Sequence, residues 1–259
     1  MIGYCLKSLV FSIRTTTVAL LLLGTVLSGP VFSGTWRVIP IRLEFDQRAR
    51  SGVVTLINDS EETISFKVEA REWTQDRAGK DQYTETSDIL FFPQSLTLGP
   101  NSQRVIRAGI KVPALNREKT YRLFIQQEPP PQDKPTTAVA IVIRFGLPIF
   151  AKPLEEDIRG EIVRASIQGG DLSIGVKNKG NAHFRVKTLK ISGNDANGAP
   201  VFSEELSGAY LLAGTERTFA TALPEKLCSQ MDVMTIEVVS DRIQLSGEID
   251  VDRAMCLKP

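Results

Sequence analysis

Histidine is all but missing from this chain: His183 is the single one in 259 residues. A metal centre built from several imidazoles is excluded, and any Ser-His-Asp relay would have to run through that one side chain. Beside Asn181 it reads as a turn residue. A phosphate-cradling glycine loop is also lacking, since Gly169-Gly170 has no further glycine at the required spacing and reads as a hairpin turn. Charge of one sign is not in excess, with 31 Lys and Arg against 30 Asp and Glu, so the basic field expected of a nucleic-acid binder is absent. Glu155-Glu156-Asp157 reads as a solvated loop, and Trp36 and Trp73 as sandwich packing. These absences point away from an enzyme, and no cofactor, metal or small-molecule substrate is expected.

What is present begins with an address. Lys7 and Arg14 precede the mostly apolar Val18–Leu27, and small residues follow from Ser28 to Gly34. This is the order of a secretory signal over residues 1–33, with cleavage near Ser33 and a second candidate site at Leu27 and Gly29. An uncleaved anchor is the alternative, but about ten apolar residues fall short of the roughly twenty that cross a bilayer. Cleavage removes Cys5, Lys7 and Arg14, so that the 31 basic residues fall to 29 against 30 acidic ones. Cys228 and Cys256 remain. In an oxidising compartment an even pair reads as a disulfide, two free buried thiols being the alternative. The bridge would stabilise by about 3 kcal/mol and pin the terminal strand Gln244–Val251 to its domain.

The rest of the chain alternates apolar and polar residues in short runs. VIPIRLEF, VVTLIND, TISFKVEAREW, PQSLTLGPNSQRVIRAGI and YRLFIQQ make a first series, separated by turn-forming segments. EIVRASIQ, DLSIGVKN, HFRVKTLKISG, APVFSEEL, YLLAG, RTFATAL and MTIEVVS make a second. Without a sustained helical period, two all-β sandwiches are expected, over residues 34–152 and 153–259, with a cleft between them. One stretch departs from the alternation. From Thr137 to Pro153 nearly every position is apolar, which predicts one long strand covered on both faces. Val139, Ile141, Ile143 and Phe145 share one of those faces. The strand is either central and covered by its own domain, or an edge completed by a strand from another protein.

IRLEFD (Ile41–Asp46), LINDSE, PQSLTLGPNSQRVIR, YRLFIQQEPPP and AIVIRFGLPIFAKP, followed by NKGNAHFRVKTL and GAYLLAGTER, resemble the periplasmic chaperones of the chaperone-usher pilus pathway, nearest its archaic or spore-coat branch. The resemblance covers essentially the whole chain after the signal. It implies two immunoglobulin-like domains in an L or boomerang, located in the periplasm. It further implies that the protein binds pilus subunits by donor-strand complementation and delivers them to an outer-membrane usher, with self-capping as a homodimer left open. Val139, Ile141, Ile143 and Phe145 would then enter the subunit's groove. The family holds the subunit's C-terminal carboxylate with an arginine of the first strand and a lysine near the end of the lent strand. Arg42 matches the arginine, but Pro148 occupies the lysine's place. Arg144, Arg122, Arg107 and Lys152 are the local substitutes, Arg144 having the wrong strand parity unless Gly146 marks a bulge. The rival reading from another class is a secreted two-domain immunoglobulin-like adhesin or surface-binding module.

Overall fold

The computed structural model describes residues 36–129 and 141–257. The expected signal segment, its cleavage sites and Val139 lie outside these. The first series of alternating runs folds into two sheets. One has the order β1-β3-β8-β6, from Trp36–Ile39, Ser51–Asn58, Gln103–Ile110 and Ile89–Phe92. The other has the order β2-β10-β9-β4-β5, from Leu43–Phe45, Arg144–Ala151, Lys119–Gln127, Ile64–Gln75 and Asp81–Glu85, with β7 (Ser95–Leu98) paired to β4. Alternation turns Val54, Leu56, Phe66, Ile106, Leu123, Ile125, Leu147 and Ile149 inward, and all are buried in one cluster between the sheets. Each such side chain contributes roughly 1.5–3 kcal/mol.

The second series repeats the recipe. β11 (Gly160–Gln168), β12 (Asp171–Asn178) and β16 (Glu216–Ala222) face β14 (Pro200–Ser207), β13 (Phe184–Asn194), β17 (Val233–Ser240) and β18 (Gln244–Asp250), with β15 (Tyr210–Leu211) added on β13. Its core includes Leu172, Ile174, Val186, Leu189, Ile236 and the half-cystines. The Cys228–Cys256 disulfide is formed, with Cα atoms 5.7 Å apart and a sequence separation of 28. It joins two helical turns, Glu225–Cys228 and Arg253–Cys256, at the foot of this core. The chain is thus all-β, with two immunoglobulin-like sandwiches.

Three strand expectations change. VIPIRLEF is two strands, because Pro40 cannot donate to a ladder, and β1 and β2 go to different sheets. Asp81–Glu85 and Ile89–Phe92 were not expected: the first is polar on both faces and the second only four residues long. The long strand from Thr137 begins at Arg144. Its partner β9 ends at Gln127, opposite Ile143, and the described residues before that point, Ile141 and Val142, join no ladder.

Candidate functional site

β10 is held on one side along its whole length and on the other only at its end. Arg144 to Ala151 pair with β9 without a register shift, whereas β2 covers only Ile149, Phe150 and Ala151. Gln127 N–H donates to the Ile143 carbonyl at 2.9 Å. By the alternation of an antiparallel ladder, Arg144, Gly146 and Pro148 therefore turn their backbone groups to the open side. Proline is tolerated at such an edge and not in a strand's middle, so Pro148 agrees with an edge here.

The apolar row of the sequence runs off the end of the core along this edge. Ile149 and Leu147 are buried, Phe145 is half-buried and packs edge to face on Trp36, with ring centroids 6.5 Å apart. Beyond it Ile143 is 45% and Ile141 82% exposed, and Val142 on the other face is 40% exposed. Phe145 thus serves the chaining of the sandwich's own core, which uses it as the last inward residue, and the free part of the row is Ile141 and Ile143.

The expected cations separate into different places. Arg107 sits on β8, in the sheet across the core, and cannot reach this edge. Arg144 lies in unbroken register, so Gly146 marks no bulge; its guanidinium donates to Glu69 at 3.1 Å and stacks 3.8 Å from the Phe124 ring centroid. Lys152 and Arg42 share Glu44, at 2.7 and 3.1 Å. Burial alone would raise the Glu44 carboxyl, but the hydrogen bond and charge of Lys152, with Arg42 and His183 nearby, outweigh it and hold the group below its ordinary value.

Arg122 differs. It stands directly opposite Pro148, and Arg71 directly opposite Arg122. Arg42, one residue before the Leu43 partner of Ile149, comes level with Pro148 from the other side. Arginines therefore flank the proline on both neighbouring strands. Arg71 is taken up by Glu69 and Glu85. Arg122 is half-buried over the Trp73 ring at 3.8 Å, donates once to the Gly146 carbonyl at 3.0 Å, and keeps a buried Nε without a partner. Among the described residues it has no carboxylate within ion-pair distance. Spacing within one strand cannot show this, because register between strands sets it.

The floor of the cleft is built from both sandwiches. Gln75 donates to the Tyr210 carbonyl at 2.9 Å and accepts from Leu212 N–H at 3.1 Å and Thr215 Oγ1 at 2.9 Å. Gly79, with φ +75°, lets the β4–β5 turn approach the second sandwich, where a Cβ would lie 2.8 Å from Arg217 Cβ; Arg217 donates to its carbonyl at 3.0 Å. His183 is not a solvated turn residue. Its backbone N–H and Nδ1 each lie 2.8 Å from Glu118 Oε2, both residues are buried, and its ring stacks on Phe150 of β10 at 3.5 Å. Trp73 belongs to this joint with Phe150, Leu212 and Tyr210, while Trp36 packs in the first sandwich.

Residues 37–156 match the family described as pili and flagellar-assembly chaperone, PapD N-terminal domain. No curated protein matches the sequence. Solved structures share the fold at low identity. One is a chain of the CsuC-CsuE chaperone-tip adhesion subunit pre-assembly complex from the archaic chaperone-usher Csu pili of Acinetobacter baumannii, with a TM-score of 0.58 and 18% identity over 83% of this chain and 98% of that one. A chain of the Salmonella enterica SafA pilin in complex with the SafB chaperone has a TM-score of 0.52 and 13% identity over 85% and 99%. The E. coli chaperone DraB has a TM-score of 0.50 and 14% identity over 83% and 99%. The first sandwich thus matches the pili and flagellar-assembly chaperone family, PapD N-terminal domain, and the chain shares the two-sandwich fold of these solved structures.

Proposed function

We propose that the protein is a periplasmic chaperone that holds pilus subunits by lending them the free end of β10 and then yields them to an outer-membrane usher. The observation that carries this reading is the row of apolar side chains that leaves the core at Phe145 and continues, exposed, through Ile143 and Ile141. A subunit whose sandwich lacks one strand exposes an apolar groove and an open edge, and would aggregate. A lent strand closes the ladder with its backbone and fills the groove with alternate side chains. Burying Ile141 and Ile143 supplies roughly 1.5–3 kcal/mol each; Val139, beyond the described residues, would continue the row.

The cation for the subunit's terminal carboxylate is, in this reading, Arg122 together with Arg42. Arg122 has donors to spare and stands beside Pro148, where the family's lysine is missing. A planar guanidinium can meet a carboxylate with two parallel hydrogen bonds, so it substitutes for an ammonium with better-defined geometry. Arg144 and Lys152 are already engaged with Glu69 and Glu44.

The test is co-purification of the tagged mature protein from periplasm in cells expressing the secreted subunits encoded beside it. A one-to-one complex is expected with the wild type and none with Ile141→Asp/Ile143→Asp, which stays folded because both side chains are exposed. Equal capture by the double variant would leave the edge as mere surface and favour the adhesin reading.

A further inference from the structure

Arg122 reaches out of the first sandwich into a slot that both sandwiches build. Alternation turns it away from its neighbours Tyr121 and Leu123, which are buried in the core. Gly146 on the adjacent strand leaves the way open, since a Cβ there would lie 3.0 Å from the Phe124 ring and 3.8 Å from Arg122 Cδ. The guanidinium crosses towards β10, where it donates to the Gly146 carbonyl at 3.0 Å and lies 3.8 Å from the centroid of the Trp73 ring.

The second sandwich supplies another ring. Tyr210 of β15 stands edge-on to Trp73, with centroids 5.4 Å apart, and its own centroid is 5.7 Å from the Arg122 guanidinium carbon. Both rings are thus within the roughly 6 Å over which an aromatic face attracts a cation. Tyr210 is held from both sides of the joint. It pairs with Arg185 on β13, whose guanidinium carbon lies 5.5 Å from the same ring, and Gln75 of the first sandwich donates to its carbonyl at 2.9 Å.

This stack has donors and lacks an acceptor. Trp73 Nε1 and Arg122 Nε are buried without partners among the described residues, and a buried donor left unpaired is costly unless something accepts from it. The nearby carboxylates Glu69 and Glu85 are already taken by Arg71 and Arg144.

We propose that Tyr210 is a positioning residue for the carboxylate anchor: from across the joint it holds the Arg122 guanidinium against Trp73, where a carboxylate entering the cleft can take its unused donors. This role rests on Arg122 being the cation for the subunit's terminus, and it makes the second sandwich part of that anchor. A free arginine loses much rotamer freedom when it binds, whereas one already stacked has lost it beforehand, so the carboxylate meets a preorganised partner. Packing on Trp73, Phe150 and Leu212 alone would make Tyr210 a residue of the joint and nothing more.

The experiment uses the mature chain with isotopically labelled arginine and two probes: an N-acetylated peptide alternating valine and threonine with a free C-terminal carboxylate, and the same peptide as its C-terminal amide. The Arg122 Nε–H resonance, assigned by its loss in Arg122→Gln, should be displaced by the rings in the free protein and should move on titration with the acid. Wild type should bind the acid about ten-fold tighter than the amide, and Arg122→Gln should bind both alike. Tyr210→Leu, which keeps the joint apolar, should lower that preference about five-fold while the amide's affinity and the melting temperature hold. Tyr210→Phe, which restores a ring, should recover it. A wild-type preference in Tyr210→Leu, or an equal loss of both peptides, would make Tyr210 a joint residue only and overturn the proposal, with Arg122 still the anchor. No preference for the acid in the wild type would overturn the anchor reading along with it.

Discussion

The two sandwiches follow one recipe and differ in how far they close. In the second, the inward rows of β12, β13 and β17 end inside the core and a disulfide ties its foot. In the first, apolar side chains remain in solvent at the free end of β10 and on the β3-β8-β6 face. The polar outward residues of β18 are those of a strand that has finished folding, whereas Ile141 and Ile143 belong to a row that stops being covered partway along. The second sandwich therefore spends its apolar residues on its own stability. The first leaves some of its own in solvent.

That contrast can be broken within β10 itself. Leu147→Asp puts an unpaired charge into the core and should cost more than about 4 kcal/mol, so the first sandwich should fail to fold by circular dichroism. Ile143→Asp, four residues away on the same row, should leave the melting temperature nearly unchanged while removing subunit capture. Next in size, Cys228→Ser/Cys256→Ser should destabilise by about 3 kcal/mol. Amide exchange should place that loss in the second sandwich and leave the exposure of Ile141 and Ile143 as it is. Arg122→Gln should weaken subunit binding by about 1.5–3 kcal/mol, read as a faster off-rate in surface-plasmon experiments, with little change in the free protein's melting. Smallest is Arg144→Ala, whose half-exposed pairing with Glu69 is worth less than about 1 kcal/mol; subunit binding should hardly move.

Much of the fold was legible because half-buried strands announce themselves by alternation. β12 runs from Asp171 to Asn178, the limits of DLSIGVKN. Alternation fails where neither face is apolar, as in Asp81–Glu85, and where apolar residues outrun their pairing partner, as before Arg144. The site was legible as a row along one strand and not as a constellation. Whether Arg42, Arg122 and Arg144 meet around Pro148 depends on register between β2, β10 and β9, which no spacing within one strand records. His183 was misread for the same reason: its partner Glu118 is 65 residues away, on the other sandwich.

The most direct test of the account is amide hydrogen exchange of the mature protein, free and bound to a pilus subunit. Ile141 to Arg144 should exchange quickly in the free protein and become protected in the complex, while Leu147 and Ile149 to Ala151 should be protected in both. Unchanged exchange at Ile141 to Arg144 in a stable complex would contradict it, because the subunit would then be held somewhere other than the free end of β10.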